Sequence, residues 1–318
     1  MEYLPRKCPI NAGTDPLWSV ELIVNKIIKA ETLSEVNLGL DSKKGSAVPF
    51  IIQAKPSRLS PDLRALWFYR EVLYFLIWRD VKVRYKQAAI GVAWAVIQPL
   101  MAMLIFTIVF GRFARVPSDG LPYPAFAYAA LLPWDYFAQA ITRSGNSLVA
   151  NSTLISKVYF PRLILPIAMA VSPLVDSSIS FLILLGMIAW FGIVPTWTIC
   201  LLPLFLLMAL VTALAVCLFL SALNVRYRDV GHAIPFLVQI WMYASPVAYS
   251  SSLVPERWRA LYGLNPMVGV IDGFRWALLG SNTPNIQTMA VSGLVVILLL
   301  FVGVTYFRRM ERSFADVI

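Results

Sequence analysis

The sequence is poor in the residues that build redox, metal and acid–base sites. Its 318 residues include three cysteines and one histidine, and charged residues make up 14%, against roughly 25% in soluble domains. Cys200 and Cys217 lie 17 positions apart in one apolar stretch. In a helix they would be about 25 Å apart, at about 1.5 Å per residue, which excludes a disulfide between them. No Cys/His/Asp cluster has the spacing of metal ligands, so we expect no metal site.

Nucleotide-binding and catalytic motifs are also missing from the sequence. No Gly-x-x-x-x-Gly-Lys-Ser/Thr loop occurs, so the chain does not bind ATP through a P-loop. No Gly-x-Ser-x-Gly elbow and no paired carboxylates in an interfacial loop are found, and the lone His232 borders an apolar run. We therefore expect a chain that is not an enzyme, with no catalytic residue and no cofactor of its own.

The abundant residues are apolar. Hydrophobic residues make up 59%, against roughly 45–50% in soluble proteins, and the mean hydropathy is +0.71. This composition predicts an all-α integral membrane protein. Segments of spanning length are residues 88–111, 123–148, 163–193, 197–223, 233–250 and 286–307, six in all.

The basic residues predict the orientation of these six spans. From residue 63 onward there are 19 Lys and Arg, of which 14 fall on one side and 5 on the other when both termini are cytoplasmic. Cytoplasmic loops of membrane proteins are enriched in Lys and Arg, so the N- and C-termini are predicted to be cytoplasmic. Because these residues are spread between apolar runs, they do not indicate nucleic-acid binding.

Three regions are predicted along the chain. Residues 1–62 are a polar cytoplasmic N-terminal extension without the apolar core of a signal peptide. Residues 63–87 are too charged to span, and their Trp and Tyr residues favour an amphipathic interface helix on the cytoplasmic surface. This helix is either a lipid anchor or a lever that contacts a cytosolic partner. Residues 88–318 form the transmembrane domain.

The loop at residues 251–285 carries helix signals of its own. Asn265 and Pro266 predict an N-cap followed by Pro in the first turn, and Gly280 predicts the C-cap. Asp272 and Arg275, three positions apart, are expected to pair. A helix of about 14 residues reaches only about 21 Å, too short to span. It is therefore either a re-entrant plug, after a shorter helix near residues 255–262, or a surface cap.

Asp176 lies inside the predicted third span and allows two interpretations. An acid within a span is costly and usually faces the bundle interior or a wet cavity. It is either a proton-coupling carboxylate, which would indicate a secondary transporter, or a structural acid paired with a group such as Arg143.

An ordered series of short strings carries a family resemblance. The strings are residues 78–87, 91–94, 98–100, 131–134, 154–162, 224–229, 245–247, 265–267 and 273–275. In this order and spacing they resemble the permease subunit of bacterial ABC-2 type exporters, which move lipid-linked O-antigen, capsule and teichoic-acid polymers across the inner membrane.

The resemblance implies an architecture and partners. Such permeases have an N-terminal interface helix, six spans and periplasmic gate helices between the fifth and sixth. They are homodimers in the bacterial inner membrane, with two copies of a separate cytosolic ATPase that binds ATP and Mg. The implied ATPase-coupling residues are Leu154, Ile155, Ser156, Lys157, Val158, Tyr159, Phe160, Pro161 and Arg162, completed by Arg226, Arg228 and Asp229.

Roles in transport are also implied. Arg79, Lys82 and Arg84 of the interface helix are expected to attract the pyrophosphate of the lipid-linked polysaccharide. The candidate channel-lining aromatics are Trp94, Phe126, Trp134, Tyr136, Phe137, Trp241 and Tyr243, of which fewer than half are expected to touch substrate. The candidate periplasmic gate residues are Asn265, Pro266, Asp272, Phe274 and Arg275.

Three alternatives remain at this point. The first keeps the ABC-2 architecture but changes the cargo to a drug, glycolipid or other small amphiphile. The second is a proton-coupled secondary transporter that uses Asp176. The third, a membrane-embedded glycosyltransferase, is disfavoured because no Asp-x-Asp loop occurs.

Overall fold

The computed structural model describes residues 63–86, 91–158, 160–194, 196–281, 283–312 and 314. The predicted extension at residues 1–62 lies outside this part of the chain. The described residues are helical and include no strand, which confirms the all-α prediction for them.

Twelve α-helices follow one another through the described residues. They are α1 Leu63–Phe68, α2 Arg70–Lys86, α3 Gly91–Phe106, α4 Tyr123–Ala150, α5 Ser152–Lys157, α6 Ile164–Val171, α7 Pro173–Trp190, α8 Leu202–Arg226, α9 Asp229–Tyr243, α10 Glu256–Tyr262, α11 Pro266–Leu279 and α12 Ile286–Glu311. A π-helical segment, Thr107–Phe113, continues α3, and a 3₁₀ turn, Trp197–Leu201, leads into α8.

Four helical stretches among the described residues are long and apolar enough to cross a membrane. They are Ala93–Phe113, Ile164–Trp190, Trp197–Arg226 and Ile286–Glu311, and they match the predicted first, third, fourth and sixth spans. The predicted second span is the 28-residue helix α4, which carries Asp135 and Arg143. The predicted fifth span is α9, which has 15 residues and a length of about 22 Å. Membrane crossing by α4 and α9 stays a prediction.

Helix α4 lies at the centre of the packed helices. It contacts α3, α6, α7, α8, α9 and α11. Because neighbours surround it, its aromatic residues lie inside the subunit, and Phe126, Tyr128 and Phe137 are fully buried. Its polar residues therefore lie among protein groups, which is where a charged residue inside a membrane helix is tolerated.

A second apolar cluster joins the elements around the end of α4. Leu76 of α2, Leu148 of α4, Phe160 and the C-terminal Phe307 and Phe314 are all buried in it. The cluster connects the predicted interface helix, the segment after α5 and the last helix in one packed unit. A displacement of one of these elements is therefore resisted by the others, because packed interiors have few voids.

Helices α8 and α12 pack closely through a small residue. A Cβ atom added at Gly303 would lie 2.4 Å from the carbonyl oxygen of Ala215. Small residues at helix interfaces allow two backbones to approach in membrane proteins. The close α8–α12 contact therefore depends on glycine at position 303.

The predicted helix within the 251–285 loop is confirmed. Helix α11 begins after Asn265, whose side-chain oxygen accepts a hydrogen bond from the backbone N–H of Met267 at 3.1 Å, and Pro266 is its first residue. It ends at Gly280, which has a left-handed φ of 62°, a conformation that glycine adopts without a Cβ clash. The shorter helix expected near residues 255–262 is α10. A re-entrant position for this pair stays a prediction.

Candidate functional site

The large apolar and aromatic side chains of α1 and α2 are divided between two environments. Trp67, Tyr74 and Trp78 expose 70%, 69% and 55% of their surface, whereas Leu76 and Val81 are buried. Exposed Trp and Tyr side chains suit the headgroup level of a bilayer. One side of α2 therefore packs against the helix bundle, and its aromatic side remains available to lipid.

A group of four charged residues connects α2 to α4 and α7. Arg84 contacts Asp80 at 2.7 Å and also pairs with Asp176. Arg143 of α4 lies 3.7 Å from Asp80 and 3.6 Å from Asp176. We call Asp80, Arg84, Arg143 and Asp176 the charge cluster. Its two carboxylates and two guanidinium groups balance in charge, and each of the two acids has a cationic partner.

Two hydroxyl groups complete the charge cluster. Ser172, between α6 and α7, donates a hydrogen bond to Asp80 at 2.6 Å, and the Tyr85 hydroxyl donates to Asp176. Burial, assisted by this bond, raises the pKa of Tyr85 to about 12. The Tyr85 hydroxyl therefore stays protonated at neutral pH and remains a donor.

The charge cluster favours the structural interpretation of Asp176. The contact with Arg143 is the one that the structural interpretation expected, and the further pairing with Arg84 supports an acid that holds α2 against α7. The same contacts correct the expectation that Arg84 attracts the pyrophosphate of the substrate. Its guanidinium pairs with the carboxylates of Asp80 and Asp176 and is not free to bind a lipid headgroup. Of the other two headgroup candidates, Lys82 is exposed, and Arg79 donates to the side chain of Asn151 at 3.0 Å.

A cavity of about 370 Å³ adjoins the charge cluster. It lies between α2, α3, α4 and α7, and its wall includes Trp94, Gln98, Asp135 and Gln139 beside Arg84. The wall combines an indole, two amides and charged groups. Such a mixture of apolar and polar groups is typical of a ligand pocket, and the volume is within the roughly 300–1,000 Å³ range of such pockets.

The predicted coupling segment is anchored at its base and exposed at its tip. Ser156 and Lys157, at the end of α5, are exposed, and Leu154, Ile155 and Val158 are partly exposed. Tyr159 lies outside the described residues.

The base of the segment is held by two residues. Phe160 is 6% exposed within the second apolar cluster. Arg162 donates to the backbone carbonyl of Glu311 at 2.7 Å and lies 5.8 Å from the ring of Phe314. Pro161, between them, is partly exposed. The tip of the segment is therefore open to a partner, while its base is continuous with the core.

The second predicted contact surface, residues 226–229, is also exposed. Arg226, Arg228 and Asp229 lie on the surface at the turn from α8 to α9. The buried Asn224 fixes this turn, since it donates to the carbonyl of Gly145 at 2.9 Å and accepts from the backbone N–H of Gly231 at 2.8 Å. Its amide thus ties the turn to α4.

Most of the candidate channel aromatics lie inside the subunit. Phe126, Trp134, Tyr136 and Phe137 are at most 2% exposed, so in this conformation they serve packing and do not line a channel. Trp241 is partly exposed and packs edge-on against the Phe137 ring.

The two remaining channel candidates are on the surface. Trp94 and Tyr243 are 61% and 63% exposed. Their role in lining a channel stays a prediction.

The candidate gate residues form a connected network, although the predicted ion pair is not part of it. Arg275, 3% exposed, donates to the carbonyls of Phe126, Tyr249 and Val247 at 2.9 to 3.2 Å. It thus binds α11 to neighbouring segments and makes no salt bridge within 4.0 Å with Asp272, which corrects the pairing expected from their spacing. Burial lowers the pKa of Arg275 to about 10, so it remains charged at neutral pH.

Asn265, Pro266 and Phe274 complete the gate candidates. Asn265 accepts from the indole N–H of Trp241 at 2.9 Å and donates to the Ser245 hydroxyl at 2.9 Å, so it links α11 to α9. Pro266 and Phe274 are buried. These contacts tie the start of α11 to α9, while the body of α11 packs against α4, α8 and α12.

Sequence reasoning missed three of the residues that build these sites. Asp80 and Ser172 join the charge cluster, and Asn224 positions the 226–229 turn. Asp80 and Arg84 are four positions apart, which is a helix-pair signal. Ser172 contacts Asp80, 92 positions away, and Asn224 contacts Gly145, 79 positions away, so no local pattern indicated these contacts.

Comparisons with known proteins relate the chain to membrane transport proteins. The family model of the ABC-2 type transporter matches residues 71–279. The O-antigen export system permease protein RfbA of Myxococcus xanthus is 29% identical over 256 residues, covering 80% of this chain and 98% of that protein. The RfbA protein of Klebsiella pneumoniae is 28% identical over 80% of this chain and 97% of its own. The polysialic acid transport protein KpsM of Escherichia coli is 21% identical over 75% and 93%.

The family match covers well over half of the chain and includes α2, the charge cluster, the coupling segment and α11. The resemblance seen in the sequence strings is thereby confirmed, and the chain belongs to the ABC-2 type transporter family of membrane transport subunits.

Proposed function

We propose that the chain is the membrane-spanning permease subunit of an ATP-driven exporter that moves a lipid-linked polysaccharide across the inner membrane. Relatives named as O-antigen export permeases align along 80% of the chain, and this supports a polysaccharide cargo over a small amphiphile. The observation that carries the proposal is the exposed tip of the coupling segment on a base packed into the core.

ATP hydrolysis takes place in a separate cytosolic ATPase, present in two copies, which also binds the Mg. Each copy contacts the tip at Ser156 and Lys157, together with the exposed turn at residues 226–229. Movement of the tip displaces Phe160 and Arg162. Because Phe160 packs in one cluster with Leu76 of α2, the displacement reaches the interface helix.

The charge cluster is the connection through which α2 acts on the spans. Two arginines and two acids join α2 to α4 and α7. Such pairs exchange partners when helices slide, because each guanidinium offers several donors in a planar fork. Tilting of α2 changes these pairings and opens the cavity beside Trp94 and Gln98.

The substrate enters near the exposed side of α2. Arg79 and Lys82 attract the pyrophosphate of the lipid-linked end, through charge-assisted hydrogen bonds that are stronger than neutral ones. The exposed aromatic residues Trp67, Tyr74 and Trp78 hold α2 at the headgroup level where this end lies.

The channel forms between two copies of the chain. Helices α3 and α9 each expose a row of large apolar side chains, which a lipid or a second subunit would cover. These residues are Trp94, Ile97, Met101, Leu104 and Ile105 on α3, and Phe236, Leu237, Ile240 and Tyr243 on α9. In the proposed homodimer each subunit has six spans, cytoplasmic termini and a re-entrant α10–α11 pair as its periplasmic gate.

The test is export in cells and ATP hydrolysis in the purified complex. Deletion of the gene should abolish the surface polysaccharide, measured by antibody binding to intact cells, while its lipid-linked precursor accumulates inside. The chain should copurify with a cytosolic ATPase, and the complex should hydrolyse ATP. ATP hydrolysis by the isolated chain, or unchanged surface polysaccharide in the deletion strain, would contradict the proposal.

A further inference from the structure

A second cavity, of about 230 Å³, lies far from the charge cluster. Its wall includes Asp119, which precedes α4, whereas the coupling segment follows the other end of that 28-residue helix. The remaining wall comes from the segment before α10, from α10 itself, from the middle of α11, and from the loop and first turn of α12. We call it the hydroxyl pocket.

Hydroxyl groups dominate the wall of this pocket. Of the thirteen described residues that line it, seven carry a hydroxyl, namely Ser250, Ser251, Ser252, Tyr262, Ser281, Thr283 and Thr288. A hydroxyl both donates and accepts hydrogen bonds. Ser250, Ser252, Tyr262 and Thr288 already donate within the protein, and their oxygens still offer lone pairs. A wall rich in such acceptors matches a ligand that presents several hydroxyl donors.

The charges in the wall balance and are occupied within the protein. Asp119 accepts hydrogen bonds from Ser250 at 2.5 Å and from Ser252 at 3.1 Å. Arg259 donates to the carbonyl of Val254 at 3.2 Å, and Arg275 is held by the three carbonyls described above. The two acids and two arginines of the wall leave no excess charge of either sign, so the pocket favours a neutral ligand over an ion.

Asp272 is the acid of this wall best suited to contact a ligand. It lies beside Ser251, and burial raises its pKa to about 6, so at neutral pH it is mostly an ionised acceptor. Charge-assisted hydrogen bonds are stronger than neutral ones. Ser251 and Asp272 therefore form the most polar part of the wall.

The size of the pocket limits the ligand to a small unit. At about 230 Å³, it is below the roughly 300–1,000 Å³ typical of pockets for drug-sized ligands. One sugar ring, with several hydroxyls and an apolar face for the ring of Tyr262, matches both its volume and its chemistry.

We propose that the hydroxyl pocket is a sugar subsite that binds one neutral sugar residue of the exported glycan at the far end of its path. The subsite rests on the proposed polysaccharide cargo. Its location beside α10 and α11 allows a bound sugar to contact both helices, so occupancy is coupled to their position.

The test is binding of a soluble glycan to the full complex of the permease and its ATPase in lipid nanodiscs. The probe is the oligosaccharide released by mild acid from the surface polysaccharide of the host. Titration calorimetry should detect binding to the parent complex. The double variant Ser251→Ala/Asp272→Asn should bind about tenfold more weakly, as expected for the loss of a neutral and a charge-assisted hydrogen bond.

Matched controls separate a local effect from unfolding. Glu71→Gln makes the same carboxylate-to-amide change at an exposed position of α2, outside the pocket wall, so it should bind like the parent. All variants should keep the parent's thermal stability and ATP hydrolysis. If the double variant loses stability, Thr283→Val alone, at an exposed wall position, should weaken binding.

The outcomes distinguish this inference from the proposed function. Absence of binding to the parent complex, or equal binding by the parent and the pocket variants, would contradict the sugar subsite. The proposal of a polysaccharide cargo would still be supported by export in cells. Binding of inorganic phosphate in place of the oligosaccharide would overturn the neutral-ligand argument. Unchanged surface polysaccharide in the deletion strain would instead contradict the proposed polysaccharide cargo, on which the sugar subsite depends.

Discussion

At the scale of single residues, Asp176 carries the most specific prediction. Replacing it by Asn leaves Arg84 and Arg143 without their shared carboxylate. Removing one partner of a partly buried pair is destabilising, and because these side chains retain 9–28% exposure we expect a loss of about 2 kcal/mol. Thermal unfolding of the solubilised protein measures this loss.

The control for Asp176→Asn is Glu71→Gln, an identical change at an exposed position of α2, which should leave stability unchanged. If Asp176 were instead a proton-coupling group, Asp176→Asn would abolish transport driven by a pH gradient while stability remained that of the parent. Such a result would contradict the structural role of this acid.

Residue-scale features were predictable where they depend on local chemistry. The caps of α11 follow from Asn265, Pro266 and Gly280, because each residue type has a backbone preference at a helix end. The contact between Arg84 and Asp176 joins residues 92 positions apart, and a helical repeat does not indicate a partner at that distance. The predicted Asp272–Arg275 ion pair does not form because, once α11 is packed, the Arg275 guanidinium donates hydrogen bonds to three backbone carbonyls.

At the scale of elements, the coupling segment predicts a charge-dependent contact. Lys157 is exposed in the last turn of α5, so Lys157→Glu should leave the fold intact. An acid in place of a docked lysine is unfavourable at an interface because it introduces an unpaired charge. We expect the ATPase that copurifies to fall about tenfold, which corresponds to about 1.4 kcal/mol.

The matched control reverses a charge at the other end of the bundle. Arg257→Glu changes an exposed residue of α10 and should leave the ATPase bound as in the parent. Equal loss of the ATPase in both variants, or in neither, would contradict a docking role for the tip of the coupling segment.

Helix α12 provides two glycines for a test of close packing. Gly303→Val places a Cβ 2.4 Å from the Ala215 carbonyl oxygen, whereas a Cβ at Gly293 meets nothing within 4 Å. Overpacking of this kind typically costs about 1–3 kcal/mol. Thermal unfolding should therefore show a large loss for Gly303→Val and a small one for Gly293→Val, and similar losses would contradict the tight α8–α12 contact.

Element positions were predictable from apolar runs, but their neighbours were not. Four predicted spans match long apolar helices, because a run of about 20 apolar residues has few other structures in a membrane protein. The run at residues 233–250 predicted a longer fifth helix than α9, which ends at Tyr243 before Ser245 and Pro246. The central position of α4 was also missed, since its aromatic residues look the same in a sequence whether a channel or another helix covers them.

At the scale of the whole molecule, the distribution of charge and apolar surface agrees with a membrane subunit that needs partners. The charge cluster is balanced, whereas α3 and α9 keep large apolar side chains on the surface. Lipid or a second copy covers such rows in a membrane. The sequence predicted the class of the molecule through its composition, but the pairing of subunits depends on surface shape, which composition does not specify.

The number of spans is open to a direct test, because four and six spans give different sides for the same residues. With six spans, residues 156 and 256 are separated by three crossings, the third of which is α9, and they face opposite sides of the membrane. If α4 and α9 do not cross, only two crossings separate them, and both residues face the same side.

Single cysteines at these two positions make the distinction in a chain whose three native cysteines are replaced. Ser156 and Glu256 are both exposed, so each Cys variant should be reactive and stable. A membrane-impermeant thiol reagent should label Glu256→Cys in intact cells and label Ser156→Cys only after the inner membrane is permeabilised. Labelling of both variants in intact cells would mean that α9, about 22 Å long, does not cross the bilayer. The coupling segment would then lie outside the cytosol and could not contact a cytosolic ATPase.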